Sequence, residues 1–295
     1  MKNQIRWSVA MLLMVSLVWG TSYGIAKESI SFYPVLGFLA IRFCLTFFLL
    51  LPLVYRTSVE ELKTAFVVGF PIGLLLLGVF VCETYGVSKT RASNASFLVN
   101  LWVVFTPWIE WIALKVRPQK NVFILVALSF IGAFLLTGGI SVSFNLGDGL
   151  IVIAALLRAC VVTYTKKRTA GKSISSMTLT AVQIGTVGFG SLLLSYFLLP
   201  QGLPSLPTSL TFWLLTLYLV LFCTIFSFFA QNYAVQRISP TYASLVMGSE
   251  PVFGALFAIF WLHESLTLTG WIGGILILFV SIWASMKHPL EKIDS

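Results

Sequence analysis

Residues 64–84 read TAFVVGFPIGLLLLGVFVCET, an apolar run whose sole charged side chain is Glu83. A run of about 20 apolar residues can cross the ~30 Å hydrocarbon layer of a bilayer as an α-helix. The run does not alternate between apolar and polar residues, which excludes a strand of a membrane β-barrel. Nine further segments of this kind lie at 7–26, 33–54, 93–114, 121–139, 149–165, 177–199, 210–234, 241–261 and 268–286. The pattern predicts an all-α integral membrane protein with ten transmembrane helices.

The composition agrees with a lipid environment. Hydrophobic residues make up 58% of the chain and charged residues 10%, whereas soluble proteins average roughly 45–50% and 25%. A soluble protein could not bury this much apolar surface. The connections between the ten segments are short, so they leave no room for a soluble domain.

The net charge of +9 reflects membrane topology and does not indicate nucleic-acid binding. With a cytoplasmic N-terminus, 14 of the 19 basic residues fall on the cytoplasmic side. Only Lys27, Lys89 and Arg91 fall on the opposite side, while Arg42 and Arg158 lie within spans. By the positive-inside rule, this asymmetry predicts that both termini are cytoplasmic. It also supports an even number of helices.

The chain contains a weak internal repeat. Ala95-Ser96 at the start of the fourth segment matches Ala243-Ser244 at the start of the ninth, and both segments contain a proline. The repeat predicts two five-helix units, residues 1–140 and 141–295. A unit with five spans ends on the opposite side of the membrane from its start, so the second unit is inverted relative to the first. Inverted repeats are typical of transporters that bind their substrate near the bilayer midplane.

Residues along the whole chain match those of a known family. They are Trp19-Gly20, Ala92, Asn94-Ala95, Phe97-Leu98, Val103-Val104, Pro107, Gly147-Asp148, Thr224, Gln231, Ser239-Pro240, Ala243, Glu250-Pro251-Val252-Phe253, Glu264, Gly270 and Gly273. With these residues the chain resembles the EamA-type members of the drug/metabolite transporter superfamily. The resemblance implies ten helices, a bacterial inner-membrane location, and export or exchange of small metabolites, amino acids or drugs.

Three positions depart from the family pattern. Glu83 stands where many relatives carry glutamine in helix three, and Arg158 occupies a helix-six position that is more often apolar or aromatic. The glutamate that usually closes the fourth-helix motif is replaced around Lys115-Val116-Arg117. The departures at these positions are candidates for tuning substrate or coupling.

Charged residues within spans are the first candidates for a site. A charge at the bilayer centre costs roughly 2.5–3.5 kcal/mol and therefore needs a partner. Arg42, Arg158 and Glu250 lie at similar depth in helices two, six and nine. Arg158 is the leading candidate for substrate contact, because a guanidinium grips a carboxylate or phosphate with paired hydrogen bonds. The alternative is a fixed salt bridge from Arg158 to Glu250 or Glu83.

Glu250 is followed by Pro251, which removes a helical hydrogen bond and leaves the carbonyl of Met247 without its usual donor. A buried carboxylate at this point could carry a proton. A structural role as the partner of Arg42 or Arg158 is favoured, since buried carboxylates are normally paired.

Two charged side chains have less decided roles. Arg42 is interpreted mainly as structural, holding helices together or anchoring a gate. Glu83 lies toward the outer end of helix three. It is either a ligand in an outer vestibule or a partner for the nearby Lys89 and Arg91.

Aromatic and amide side chains complete the predicted site. Trp19 and Tyr23 share one face of helix one, and Trp102 lies near mid-membrane in helix four. The predicted substrate-binding residues are Arg158, Trp19, Tyr23, Glu83, Asn100, Trp102, Gln231 and Glu250. The predicted structural or gating residues are Arg42, Pro107, Pro251 and Gln183. The expected cavity is lined by helices one, three, four, six, eight and nine.

Together these features predict a secondary transporter that moves a small-molecule substrate across a lipid bilayer by alternating access. The alternative is a receptor or scaffold that binds a small metabolite without moving it. An intramembrane enzyme is not expected, because no aspartate lies in a span. No cofactor or metal site is expected, and the protein is predicted to be a monomer or a homodimer.

Overall fold

The computed structural model describes residues 2–90, 92–138, 145–199, 202–262 and 266–286. Within these ranges all regular structure is helical. The helices are α1 (Lys2–Phe32), α2 (Val35–Tyr55), α3 (Val59–Lys89), α4 (Ala92–Val99), α5 (Trp102–Leu114), α6 (Lys120–Thr137), α7 (Leu146–Thr169), α8 (Ser176–Leu198), α9 (Leu210–Tyr218), α10 (Ser227–Val235), α11 (Pro240–Met247), α12 (Glu250–Leu262) and α13 (Leu268–Met286). A π-helical segment, Leu219–Phe226, joins α9 to α10.

Nine helical segments in the described ranges are long and apolar enough to cross a membrane. They coincide with nine of the ten predicted spans, so the chain is a multi-pass membrane protein. The remaining predicted span, 241–261, consists of the two shorter helices α11 and α12. Two predicted spans are therefore discontinuous, because α4 and α5 are also separated, at Asn100 and Leu101.

The two breaks occur at equivalent positions of the chain. α4 and α11 each have 8 residues, and α5 and α12 each have 13. Ala92 and Pro240, the first residues of α4 and α11, are 148 positions apart, and so are the other bounds of these helices. Both breaks also contain a backbone hydrogen bond between residues three positions apart. The Leu101 N–H donates to the Leu98 carbonyl, and the Ser249 N–H donates to the Val246 carbonyl.

The main packing pairs join the N-terminal half of the chain to the C-terminal half. α2 packs along α8, α3 along α7, and α6 along α13. The segment formed by α4 and α5 packs on α7, while the segment formed by α11 and α12 packs on α1. Each of these pairs joins a helix of the first half to a helix of the second half. The centre of the bundle is therefore an interface between the halves.

Two glycine contacts set the closest helix approaches. A Cβ on Gly273 of α13 would lie 2.4 Å from the carbonyl oxygen of Gly132 on α6. Gly20 of α1 and Gly254 of α12 face each other in the same way, since a Cβ on Gly20 would lie 2.7 Å from the Gly254 nitrogen. Small residues at such contacts let transmembrane backbones approach. Gly273 thus packs against α6 within the same molecule.

The π-helical segment positions polar groups toward the centre. Its wider turn is stabilised by the Thr224 hydroxyl, which donates to the Leu219 carbonyl at 2.8 Å. The Cys223 carbonyl accepts a hydrogen bond of 2.8 Å from the Trp19 indole of α1. π-Helical turns are often found at functional sites, and this one contributes two polar contacts to the central region.

Candidate substrate-binding site

A buried ion pair lies at the centre of the bundle. Arg158 Nη2 of α7 lies 3.0 Å from Glu250 Oε2 of α12, and their exposed fractions are 6% and 4%. Glu250 is the first residue of α12, where unpaired backbone N–H groups favour a negative charge. Tyr23 of α1 donates its hydroxyl to Glu250 Oε1 at 2.7 Å. The pair is the salt bridge that the sequence offered as the alternative to substrate contact by Arg158.

Two tryptophans enclose the Arg158 guanidinium. Its Cζ lies 4.4 Å from the ring centroid of Trp19 and 4.7 Å from that of Trp102. These distances are within cation–π range. The Trp19 ring is fixed by its bond to the Cys223 carbonyl. Arg158 is therefore held by a carboxylate and by two aromatic faces, and its charge is already compensated within the protein.

A cavity of about 50 Å³ lies next to this ion pair. Its lining residues are Trp19, Ser22, Tyr23, Ala26, Ile30, Arg42, Leu76, Val79, Phe80, Glu83, Thr84, Val87, Arg158, Val161, Phe228, Gln231 and Glu250. They come from α1, α2 and α3 of the first half and from α7, α10 and α12 of the second. The volume accommodates a few water molecules, so a metabolite needs side chains of the wall to move.

Glu83 lines the cavity with a carboxylate that has no hydrogen-bond or ion-pair partner among the described residues. It lies on α3 and is partly buried. Of the two cations predicted as its partners, Lys89 forms no described bond with it, and Arg91 lies outside the described residues. Its carboxylate is thus available to a ligand in the cavity.

Arg42 of α2 lines the same cavity. Its Nε donates to the Thr224 hydroxyl at 3.1 Å. The guanidinium carbon lies 5.0 Å and 5.3 Å from the ring centroids of Phe43 and Phe80. Among the described residues, this is the only hydrogen-bond partner of its guanidinium. Arg42 therefore connects α2 to the π-helical segment, and it also lines the cavity.

Gln231 contributes an unsatisfied acceptor to the cavity wall. The side chain is 2% exposed, and its Oε1 has no hydrogen-bond partner among the described residues. Leaving a buried acceptor unpaired costs about 1–3 kcal/mol. A water or substrate donor in the cavity would remove this cost.

Two predicted substrate ligands lie behind the ion pair. Trp102 has no exposed surface, contacts Arg158, and is not among the described residues that line the cavity. Asn100 lies at the break between α4 and α5, beside Tyr23 and Glu250 around a small separate crevice. The fourth predicted span (α4 and α5) was expected in the cavity wall, but none of its described residues lines the cavity, whereas α2 contributes Arg42.

The predicted structural residues are distributed along the helices. Gln183 of α8 accepts a 2.8 Å hydrogen bond from Asn232 of α10, and Pro107 lies inside α5. Pro251 is the second residue of α12, and the Met247 carbonyl before it accepts from the Ser16 hydroxyl at 3.4 Å. The single hydroxyl proton of Ser16 also faces the Leu12 carbonyl at 3.0 Å, so the contact with Met247 is the longer of the two.

The cavity lies toward one end of the bundle. Its α1 residues begin at Trp19 and its α3 residues at Leu76, so both sets lie in the C-terminal parts of their helices. Lys27 of α1 donates to the Thr90 carbonyl at 3.5 Å, which shows that these two helices end on the same side. The cavity is therefore displaced toward the end that carries the α1–α2 and α3–α4 connections.

Near the opposite end lies Glu110, a residue that the sequence did not single out for a role. Its carboxylate accepts hydrogen bonds from the Ser239 hydroxyl at 2.7 Å, the Thr241 backbone N–H at 2.8 Å, and the Thr241 hydroxyl. These groups form the N-terminus of α11, so Glu110 caps that helix from α5. A carboxylate near the end of a span was the available signal, but its partners lie about 130 positions away and no local pattern indicates them.

A protein-family comparison matches the chain twice. The model of the EamA-like transporter family matches residues 6–138 and again residues 145–286. Together these matches cover nearly the whole chain.

Curated relatives carry names of the same kind. A protein of Archaeoglobus fulgidus named "uncharacterized transporter" is 26% identical over 94% of this chain and 85% of its own length. The uncharacterized transporter YoaV of Bacillus subtilis is 25% identical over 90% of this chain and 92% of its own. The uncharacterized inner membrane transporter YicL of Salmonella typhimurium is 29% identical over 68% and 66%.

The fold has a solved counterpart. A crystal structure superposes with a TM-score of 0.74 and covers 98% of this chain and 99% of the other at 14% identity. At this identity the match is evidence for the fold alone. Two comparisons by sequence and one by structure therefore agree over the length of the chain.

Proposed function

The chain belongs to the EamA-like transporter family, and from this we propose that it is a secondary transporter of small metabolites, amino acids among them. It works as an exporter or exchanger by alternating access. The observation that carries the proposal is the cavity between the halves, whose lining includes two arginines and two glutamates from four different helices. Charged groups at this depth are expensive to maintain, which favours a role in substrate binding.

The two halves act as the inverted five-helix repeats. The equal spacing of the two helix breaks and the double family match support this division. The cavity faces the end predicted to be outside, while the cluster around Glu110 closes the end predicted to be cytoplasmic. The described conformation is therefore the outward-facing state, and rocking of the halves opens the other end.

The free groups of the cavity select the substrate. Glu83 binds a cationic nitrogen and the Arg42 guanidinium binds an acidic group, while Gln231 accepts a further N–H. The aromatic rings of Trp19 and Phe228 contact the apolar part. Arg158 has its charge compensated by Glu250, so its contact with an anionic substrate requires that pair to open.

The protein resides in a bacterial inner membrane with both termini cytoplasmic. The family, the curated inner-membrane relative and the distribution of basic residues support this placement. A fluorescent protein that matures only in the cytoplasm, fused after residue 295, tests it. Fluorescence is expected, and a dark fusion that is intact and membrane-inserted would contradict the topology.

The decisive experiment for transport is counterflow in proteoliposomes. Vesicles loaded with a mixture of unlabelled metabolites are diluted into single labelled ones, with protein-free vesicles as the control. Accumulation of at least one labelled compound is expected. Saturable binding to the purified protein without any counterflow would favour the receptor or scaffold alternative.

A further inference from the structure

A second cavity lies on the outer surface of the bundle, remote from the central site. It has a volume of about 510 Å³ and lies between α2, α3 and α8. Its walls include Phe66, Phe70 and Leu74 of α3 together with Phe189 and Leu193 of α8. We name this cavity the α2–α3 groove. It shares no lining residue with the central cavity.

The walls of the α2–α3 groove suit a hydrocarbon chain. Phe66 and Phe70 are stacked with ring centroids 5.2 Å apart, and they are 55% and 39% exposed. Thr186 is the polar residue among the described lining, and its hydroxyl is satisfied by the Val182 carbonyl at 2.8 Å. The groove therefore offers no free hydrogen-bonding group to a polar ligand.

The groove runs from the polar boundary along α3 and α8 into the hydrocarbon layer. On α3 it extends from Leu62, near the start of the helix, to Leu74. Twelve residues at about 1.5 Å each make about 18 Å. Half of the ~30 Å hydrocarbon core is about 15 Å. On α3 the groove thus begins at the polar boundary and ends near the bilayer centre, and on α8 it continues to Leu193, in the C-terminal part of that helix.

Basic side chains lie where the groove begins. Arg56 caps α2 two residues after the lining residue Val54, and Lys63 is exposed on the same face of α3 as Phe66 and Phe70. Arg168 of α7 reaches across and donates to the Val67 carbonyl of α3 at 3.3 Å.

Two acidic residues lie in the same region. Glu61 is engaged, because its carboxylate accepts the backbone N–H of Ser175 at 3.0 Å. Glu60 is exposed at the start of α3. The three basic side chains therefore exceed the two acidic ones by one charge, and Glu61 and Arg168 each form one hydrogen bond with the backbone. The mouth of the groove is complementary to an anion.

We propose that the α2–α3 groove is a binding site for an anionic phospholipid of the leaflet at this end of the protein. One acyl chain fills the groove between Phe66, Phe70 and Phe189. The phosphate and the anionic headgroup contact Arg56, Lys63 and Arg168. Basic pockets beside transmembrane helices on the cytoplasmic side recognise anionic headgroups in this way. The site is independent of the transported substrate.

The test uses the full-length protein after exhaustive detergent exchange to remove lipid. Phosphatidylglycerol and phosphatidylcholine with identical acyl chains are titrated separately, and bound lipid is counted by native mass spectrometry. Phosphatidylglycerol is expected to bind more tightly. The variant Arg56→Gln/Lys63→Gln is expected to lose about fivefold in affinity per charge, or roughly 30-fold in total, since each basic residue near an anionic surface contributes about 1 kcal/mol.

The matched control removes two charges at the same end of the protein. Arg117→Gln/Lys120→Gln alters the α5–α6 connection, which contributes no residue to the groove, and it is expected to bind phosphatidylglycerol as the parent does. Equal affinity of the parent for both lipids, or an equal loss in both double variants, would overturn the headgroup assignment.

The position of the acyl chain is tested separately. Phosphatidylglycerol with a photoreactive group at the middle of one chain is bound and irradiated, and the labelled peptides are identified. Labelling is expected in the segments that contain Phe66, Phe70 and Phe189. Labelling spread evenly over the lipid-facing helices would show that the groove holds no defined lipid. Because both lipid experiments use protein without transported substrate, their failure leaves the proposed transport activity untouched.

Discussion

Arg158 and Glu250 are joined by a 3.0 Å ion pair that connects α7 to the start of α12. The carboxylate is at a helix break, and the guanidinium is packed between Trp19 and Trp102. A substrate that competes for either charge can separate a pair located at a helix break. Because the pair joins α7 to a helix break, we expect it to stabilise the protein and to separate during the proposed transport cycle.

Breaking this pair is expected to destabilise the protein strongly. Glu250→Gln leaves Arg158 buried without a counter-charge, and removing one partner of a buried pair costs about 3–5 kcal/mol. Arg158→Met/Glu250→Gln removes both charges and is expected to regain much of that loss. Thermal unfolding in detergent measures the stabilities. Equal destabilisation by the single and double variants would contradict an energetic coupling between Arg158 and Glu250.

Glu250→Gln also tests proton coupling. If the carboxylate carries a proton during transport, the variant loses pH-driven accumulation in proteoliposomes but retains exchange of labelled for unlabelled substrate. Retained pH-driven accumulation would leave the carboxylate with a structural role alone. Tyr23→Phe is the milder companion, because it removes one 2.7 Å hydrogen bond to Glu250 and keeps the charge.

Glu83→Gln is expected to weaken binding of substrates with a cationic nitrogen by about tenfold or more, because hydrogen bonds to charged groups contribute about 1.5–3 kcal/mol. The Michaelis constant in proteoliposomes measures the effect. The melting temperature should change little, since no described residue forms a hydrogen bond or an ion pair with this carboxylate. Glu28→Gln, an exposed position on the last turn of α1, is the control. Unchanged affinity for every transported amine would exclude Glu83 from substrate binding.

Much of the fold follows from the sequence because bilayer thickness sets the length of each apolar run. Nine of the ten predicted spans coincide with membrane-length helices, and Arg158 was placed at the same depth as its partner Glu250. The partner itself remained one of two alternatives. Hydropathy gives depth along the bilayer normal, whereas the lateral neighbour depends on packing between helices that are all equally apolar.

The helix breaks were harder to predict from the sequence. Segment 93–114 reads as one apolar run, and its proline, Pro107, lies six residues after the break at Leu101. The break depends instead on tertiary contacts, since Trp102 is turned onto the guanidinium of Arg158. A cation–π contact between helices four and six has no local signature, so Trp102 was expected in the cavity wall.

Gly273→Ala is expected to destabilise the packing of α13 on α6. The added Cβ would lie 2.4 Å from the Gly132 carbonyl oxygen, a backbone atom that cannot move aside alone. Overpacking of this kind costs about 1–3 kcal/mol. Gly24→Ala in α1 is the matched control, because its Cβ would meet nothing within 4 Å. The control should be neutral or more stable, since alanine is the better helix former. Equal melting temperatures would show that the α6–α13 approach is looser than described.

Glu110→Gln is expected to loosen the end of the bundle that the central cavity does not reach. The carboxylate caps α11 through Ser239 and Thr241, and replacing a charged acceptor weakens each of these bonds. Val122→Cys provides the probe, since Val122 is 3% exposed and lies beside Glu110. In a background without the four native cysteines, Glu110→Gln should speed its modification by a membrane-impermeant maleimide added to inverted vesicles. Glu60→Gln, an exposed position on α3, should leave the rate unchanged. An unaltered rate in Glu110→Gln would show that closure of this end rests on other contacts and that the Glu110 cap serves α11 alone.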